Sequence, residues 1–170
     1  MNKHQLASTI WESANQMRSK IEANEYKDFI LGFIFYKYLS ERELELFRKE
    51  KLSEEEIKKV DESDVQYAKH VRETLGYFIA YDNLFSTWLD KGNDFDIKNV
   101  RDALSDFDQN IDDVYKKVFE KIFKTLQTGL SKLGETSGSQ TKAVKKLLKL
   151  IKKIPMDGKQ DYDIKVIALI

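Results

Sequence analysis

Six lysines late in the chain form the pattern whose spacing most suggests work on a partner. Wound as a helix at about 100° per residue, the stretch from about Gln140 to Ile154 gathers Lys142, Lys145, Lys146, Lys149, Lys152 and Lys153 into a sector of roughly 120°. Val144, Leu147, Leu148, Ile151 and Ile154 fall on the opposite side. The result is an amphipathic helix with an all-lysine face. Like charges on one face repel each other, which costs stability unless acidic groups or phosphates stand close. Three compensations are open. The first is the chain itself: residues 1–120 carry 18 Lys plus Arg against 25 Asp plus Glu, a balance of −7, while residues 121–154 carry nine lysines and one acid, Glu135, a balance of +8. The second is the phosphates of DNA, and the third is a protein partner. Lysines without Arg or Asn aimed at base edges would position DNA without reading its sequence.

Other reactive residue types lack the company their chemistry needs. His4 and His70 are the only histidines, and neither has a neighbour at metal-ligand spacing. With no cysteine, disulfides and thiolate metal sites are excluded, which suits a reducing cytoplasm. Asp90, Asp94 and Asp96 resemble a calcium loop only faintly, because Phe95 stands where the sharp turn needs glycine; a turn and a helix cap explain them better. Ser8, Ser13 and Ser19 have neither a nearby His nor a nucleophile-elbow context. Tyr26, Phe29, Phe33, Phe35, Tyr36 and Tyr38 could stack bases, but their helical spacing favours a core; Trp11 and Trp88 read as packing residues too. No catalytic, cofactor-binding or metal-binding residue is expected.

The elements that must position the lysines are helical. A 170-residue chain suits one domain, residues 1–170, and a lone proline with seven glycines leaves few helix breakers. The expected fold is all-α, an irregular bundle of about seven to nine helices, with room for one short extended segment near Tyr77–Ala80. Leu6, Ile10, Ala14, Met17 and Ile21 mark a first helix. Asn24 is placed to cap a second, from about Glu25 to Lys51, apolar nearly all round in its first half and charged in its second. Ser53 with Glu56 and Ser63 with Gln66 have capping-box spacing, and Gly76 can end the helix carrying Val65, Ala68, Val71 and Leu75. Helical spacing follows in Tyr81–Leu89, a turn at Lys91–Asp94, and a helix capped by Asp96 with Val100, Leu104 and Phe107. Asn110 is placed to cap one with Val114, Val118, Ile122 and Leu126 in phase. Gly134–Thr141 reads as a flexible loop, and Pro155 stops the basic helix. The chain ends in an apolar run, Ile164 to Ile170, either docked into the core or leading into a following domain. The polar start lacks a secretory h-region, and the run Phe29–Leu39 is short of the ~20 residues of a bilayer span.

Two stretches carry a resemblance. Ala7 to Arg18 reads Ala-Ser-Thr-Ile-Trp-Glu-Ser-Ala-Asn-Gln-Met-Arg, and Glu25 to Glu41 reads Glu-Tyr-Lys-Asp-Phe-Ile-Leu-Gly-Phe-Ile-Phe-Tyr-Lys-Tyr-Leu-Ser-Glu. This closely resembles the opening of type I restriction-modification M (methyltransferase) subunits. There a Trp-containing helix precedes a Tyr-Lys-x-x-(apolar)-Leu-Gly-(apolar)-(apolar)-Phe-x-Lys-Tyr-(apolar)-Ser signature. Leu75-Gly76-Tyr77-Phe78-Ile79, the segment Val100–Phe107 and the Leu133-Gly134 turn follow the family's order across the rest of the chain. The resemblance implies a helical amino-terminal domain that packs on a Rossmann-like adenine-N6 methyltransferase domain and helps enclose DNA. In the intact subunit that catalytic domain binds S-adenosylmethionine and a flipped adenine. Two M subunits join one specificity subunit, and restriction subunits add cleavage.

Adenine-N6 transfer of that kind uses Asn-Pro-Pro-Tyr or Asn-Pro-Pro-Phe to hold the flipped base. A single proline, in Lys153-Ile154-Pro155-Met156, cannot supply the motif, and Gly129, Gly134 and Gly138 are too far apart for a cofactor loop. The catalytic domain is therefore expected beyond Ile170. The rival readings are a stand-alone helical protein-interaction module and a non-specific nucleic-acid-binding module.

Overall fold

The computed structural model describes residues 23–153 continuously, with Gln5, Ser8 and Glu12 as isolated exposed helical positions. The described residues form seven α-helices: α1 (Ala23–Lys49), α2 (Glu54–Lys58), α3 (Val65–Leu75), α4 (Phe85–Asp90), α5 (Ile97–Gln109), α6 (Lys116–Gly129) and α7 (Ser137–Lys152). Short 3-10 turns occupy Tyr81–Asn83, Gly92–Asp94 and Leu130–Leu133. Among these residues there is no strand, and the all-α expectation holds. The extended stretch after α3 makes one antiparallel bridge, Tyr77 to Ile111. The expected first helix with Trp11, His4, the segment from Ile154 with Pro155, and the terminal apolar run lie outside the described residues.

Helix α1 is the hub. Phe29, Ile30, Phe33, Ile34, Tyr36, Tyr38 and Leu39 are all buried, so the neighbouring aromatics form a core and no open stacking platform. α6 crosses α1 closely because Gly32 has no side chain: a Cβ there would stand 2.5 Å from Leu126 Cδ1. Tyr36 lies flat on Trp88 of α4, with centroids 4.8 Å apart, and meets Phe107 of α5 and Phe123 of α6 edge-on. Such pairs add ~0.5–1.5 kcal/mol each beyond the area they bury.

Several local expectations are corrected. Asn24 lies inside α1 and does not cap it. The charged second half of α1 keeps a buried side, with Ser40, Glu43, Leu44 and Phe47 facing inward. Asp64, and not Ser63, caps α3 by accepting from the Tyr67 amide, while Ser63 turns back to Asp61. Asn110 closes α5, and α6 starts only at Lys116. Val114 and Val118 are 79% and 57% exposed; Phe119, Phe123 and Leu126 supply the inward side. The larger rings claim the core because they remove more apolar area from water. Gly134–Thr141 is mostly ordered, since a Thr136–Ser139 capping box starts α7 at Ser137. The Ser53–Glu56 box, the left-handed Gly76 stop (φ 92) and the Asp96 cap stand as expected.

Candidate nucleic-acid interface

The basic helix α7 is held at three places. Its N-terminus is closed by Thr136, which accepts from the Ser139 amide, and its middle is tied to α5 by Ile97 N–H donating to Thr141 Oγ at 2.9 Å. Val144, Leu147, Leu148 and Ile151 are buried, as their spacing requires. At the C-terminus Lys37 of α1, only 6% exposed, donates to the carbonyls of Ile151 and Lys152 at 3.1 and 3.3 Å. A helix leaves its last carbonyls unpaired and carries partial negative charge there, so a buried ammonium is both neutralised and useful at that end.

With the apolar side fixed, the lysines turn outward. Lys142, Lys146, Lys149, Lys152 and Lys153 are exposed or partly so, and Lys145 is half-buried. None takes part in an ion pair among the described residues, where pairs form instead at Lys69–Glu73, His70–Glu50 and Lys98–Asp102. Among the described residues, the acidic excess of the preceding sequence therefore does not neutralise this face by direct contact. Lys149 and Lys152 gain from the negative end of the helix; Lys142, Lys145 and Lys146 sit too far from it.

Part of the face borders a groove of about 230 Å³, lined by Lys145, Leu148, Lys149 and Lys152 of α7 and by Trp88, Leu89, Gly92, Asn93 and Phe95 of α4 and the segment after it. Trp88, Phe95 and Leu148 are buried, Leu89 is half-buried, and Gly92 and Asn93 are exposed. Trp88 Nε1 has no hydrogen-bond partner among the described residues. Sequence reasoning found the lysines and the Lys91–Asp94 turn but not that the turn lies beside them.

The remaining polar residues are structural. Tyr36 donates to Asn83 O at 2.7 Å, Tyr77 donates to Leu39 O at 2.7 Å, and Ser40 Oγ accepts from Phe85 N–H at 3.2 Å. Glu43 Oε1 accepts from Ile79 N–H at 2.8 Å, its Oε2 is unpartnered among the described residues, and burial pushes its carboxyl well above the usual carboxylate range. On the surface, His70 Nε2 and Tyr67 Oη both meet Glu50; partial burial raises its carboxyl, but these contacts together outweigh it and hold the group below its ordinary value. Burial and the Glu50 carboxylate push the Tyr67 phenol up. Asp96 caps α5. Among the described residues no group of three or more His, Cys, Asp or Glu side chains is placed to hold a metal ion, and no helix is long and apolar enough to cross a membrane.

Comparison with known proteins points one way. A family model described as the HsdM N-terminal domain matches residues 6–154. The type I restriction enzyme MpnII methylase subunit of Mycoplasma pneumoniae is 26% identical over 162 residues, which cover 87% of this chain and 30% of that protein. A crystal structure of the type I restriction-modification system methyltransferase subunit from Streptococcus thermophilus superimposes with a TM-score of 0.75 at 25% identity, covering 98% of this chain and 37% of that one. The chain thus spans well under half the length of each of these relatives.

Proposed function

The chain belongs to the family of HsdM N-terminal domains, the amino-terminal part of type I restriction-modification methyltransferase subunits, and from that premise we propose that it encloses DNA beside a catalytic domain lying beyond Ile170. The observation that carries the DNA-facing part is the lysine surface of α7: six cations, none in an ion pair among the described residues, on a helix locked from behind. Lys142, Lys145, Lys146, Lys149, Lys152 and Lys153 are the candidate contacts to backbone phosphates, and each phosphate neutralised there releases counterions. They add affinity independent of sequence.

Chemistry and specificity belong elsewhere in this reading. S-adenosylmethionine and the flipped adenine are held by the catalytic domain of the intact subunit, which methylates adenine N6. A specificity subunit reads the sequence, a second M subunit completes the clamp, and restriction subunits add cleavage; all of this takes place in the cytoplasm. The present domain supplies a rigid helical wall and a positive surface along the DNA path.

The test replaces Lys145, Lys146 and Lys149 by Glu in the intact complex. DNA binding should weaken alike at unrelated sequences, and the slope of log affinity against log salt should flatten by ~0.9 for each phosphate no longer neutralised. An unchanged slope removes the phosphate role.

A further inference from the structure

The six lysines are not equivalent in the fold. With Lys142 at zero and about 100° per residue, Lys153 and Lys146 stand near 20° and 40°, while Lys149, Lys145 and Lys152 stand near 340°, 300° and 280°. The second trio lines the groove against the Trp88–Phe95 segment; the first lines no part of it. A face that looks uniform in sequence is therefore two edges, one flat and one bordering a cleft.

The lining of that cleft suits it to an anion. Its lining has three ammonium groups and no carboxylate. Trp88, Phe95 and Leu148, all buried, supply the apolar part of the lining, and a cleft with charge of one sign beside a low-dielectric wall concentrates the potential. Asn93 also lines the groove, exposed and with no side-chain hydrogen bond among the described residues, which leaves its amide free to donate. Lys145 is half-buried, so less freedom is lost when its head group meets a ligand. The size is limiting as well. At about 230 Å³ the groove falls below the ~300–1,000 Å³ usual for clefts that hold a drug-sized ligand or a cofactor.

We propose that this groove is the seat of a single backbone phosphate of DNA, held by Lys145, Lys149 and Lys152 together with Asn93, and that Lys142, Lys146 and Lys153 act only through their general field. The assignment rests on the reading of α7 as a DNA-facing surface, and it narrows that surface to one edge. It makes the groove the point where the duplex is fixed relative to the helical wall.

The experiment compares two variants with the same change in charge, Lys145→Gln/Lys149→Gln/Lys152→Gln and Lys142→Gln/Lys146→Gln/Lys153→Gln. Glutamine keeps helix propensity, and circular dichroism checks the fold of each. Binding of a short fluorescent duplex to the full chain is followed by anisotropy over a salt series. The groove variant should lose about tenfold or more, the size of one charge-assisted hydrogen bond, and its salt slope should fall by ~0.9. The flat-edge variant should lose less than about threefold at physiological salt, where charges more than a Debye length from the DNA are screened. Asn93→Asp, on another element, should weaken binding in the same direction. Equal losses in the two triple variants overturn the seat and leave the broader reading standing, whereas no loss in either removes both. A second arm titrates inorganic phosphate into the Trp11→Phe protein and follows Trp88 fluorescence. Phosphate should bind weakly and compete with the duplex; tight phosphate binding without competition would make free phosphate the occupant and overturn the assignment to DNA.

Discussion

Replacing Glu43 by Gln should change the pH dependence of stability more than stability itself. Glu43 is fully buried on α1, and desolvation raises its carboxyl well above the ordinary 4.5, more than the Ile79 N–H lowers it. Because the folded-state value lies above the unfolded one, both states hold the proton below about pH 4.5 and the group costs nothing there. As pH rises, the unfolded chain releases its proton while the folded chain keeps it, and stability falls by ~1.4 kcal/mol per pH unit until the folded carboxyl ionises. Gln preserves the shape and the acceptor for the Ile79 amide, and it strands no new partner, since Glu43 Oε2 has none among the described residues. Urea unfolding followed by far-UV circular dichroism at pH 5, 6 and 7 supplies the comparison. Other titrating groups are common to both proteins and cancel in the difference. The variant's curve should be flatter than the parent's, so that its stability relative to the parent rises from pH 5 towards pH 7. Parallel curves for the two proteins would refute the argument, because they would mean that the buried carboxyl ionises with the unfolded one.

Two further substitutions test the packing that supports the surface. Gly32→Ala puts a Cβ 2.5 Å from Leu126 Cδ1, and Leu126 is itself buried with little room to swing; a loss of ~1–3 kcal/mol is expected in urea or thermal unfolding. Lys37→Met strands the Ile151 and Lys152 carbonyls and should cost ~1–3 kcal/mol. Amide exchange should then quicken in the last turn of α7 more than in α6, and uniform quickening across both helices would argue against a local cap.

The class of the fold was legible because a helix needs only local information. A single proline and apolar residues at three- and four-residue spacing specify helices, and Ser53 with Glu56, Gly76 and Asp96 mark ends through bonds made within a few residues. Readings failed where two local solutions competed and tertiary packing chose between them. Asp64 and Ser63 are adjacent cap residues, and only the turn around Asp61 decides which faces the helix. Val114 and Val118 are in phase with Leu126, but so are Phe119 and Phe123 with a neighbouring stripe, and the rings won the core. Gly134–Thr141 looked flexible by composition, although Thr136 and Ser139 stand at capping distance and could have shown that the loop is short. The lysine face was legible as a periodic pattern. Its groove was not, because Trp88–Phe95 reaches α7 only through the folded core.

The polar residues of the α1 signature explain how that surface is fixed. Tyr36, Lys37, Ser40 and Glu43 gather on one helix in a way that suggests an active site, yet each serves a backbone group of another segment: the Asn83 carbonyl, the Ile151 and Lys152 carbonyls, the Phe85 amide and the Ile79 amide. Backbone groups buried without partners are costly, so these contacts set the register between α1, the Ile79–Phe85 segment and the end of α7. Trp88, stacked on Tyr36, and the lysines of α7, anchored through Lys37, both line the groove. Both parts of the lining are thus referenced to the same helix, α1. The signature therefore sets the geometry of the lysine face, and a change at Lys37 should reach that face although Lys37 is buried.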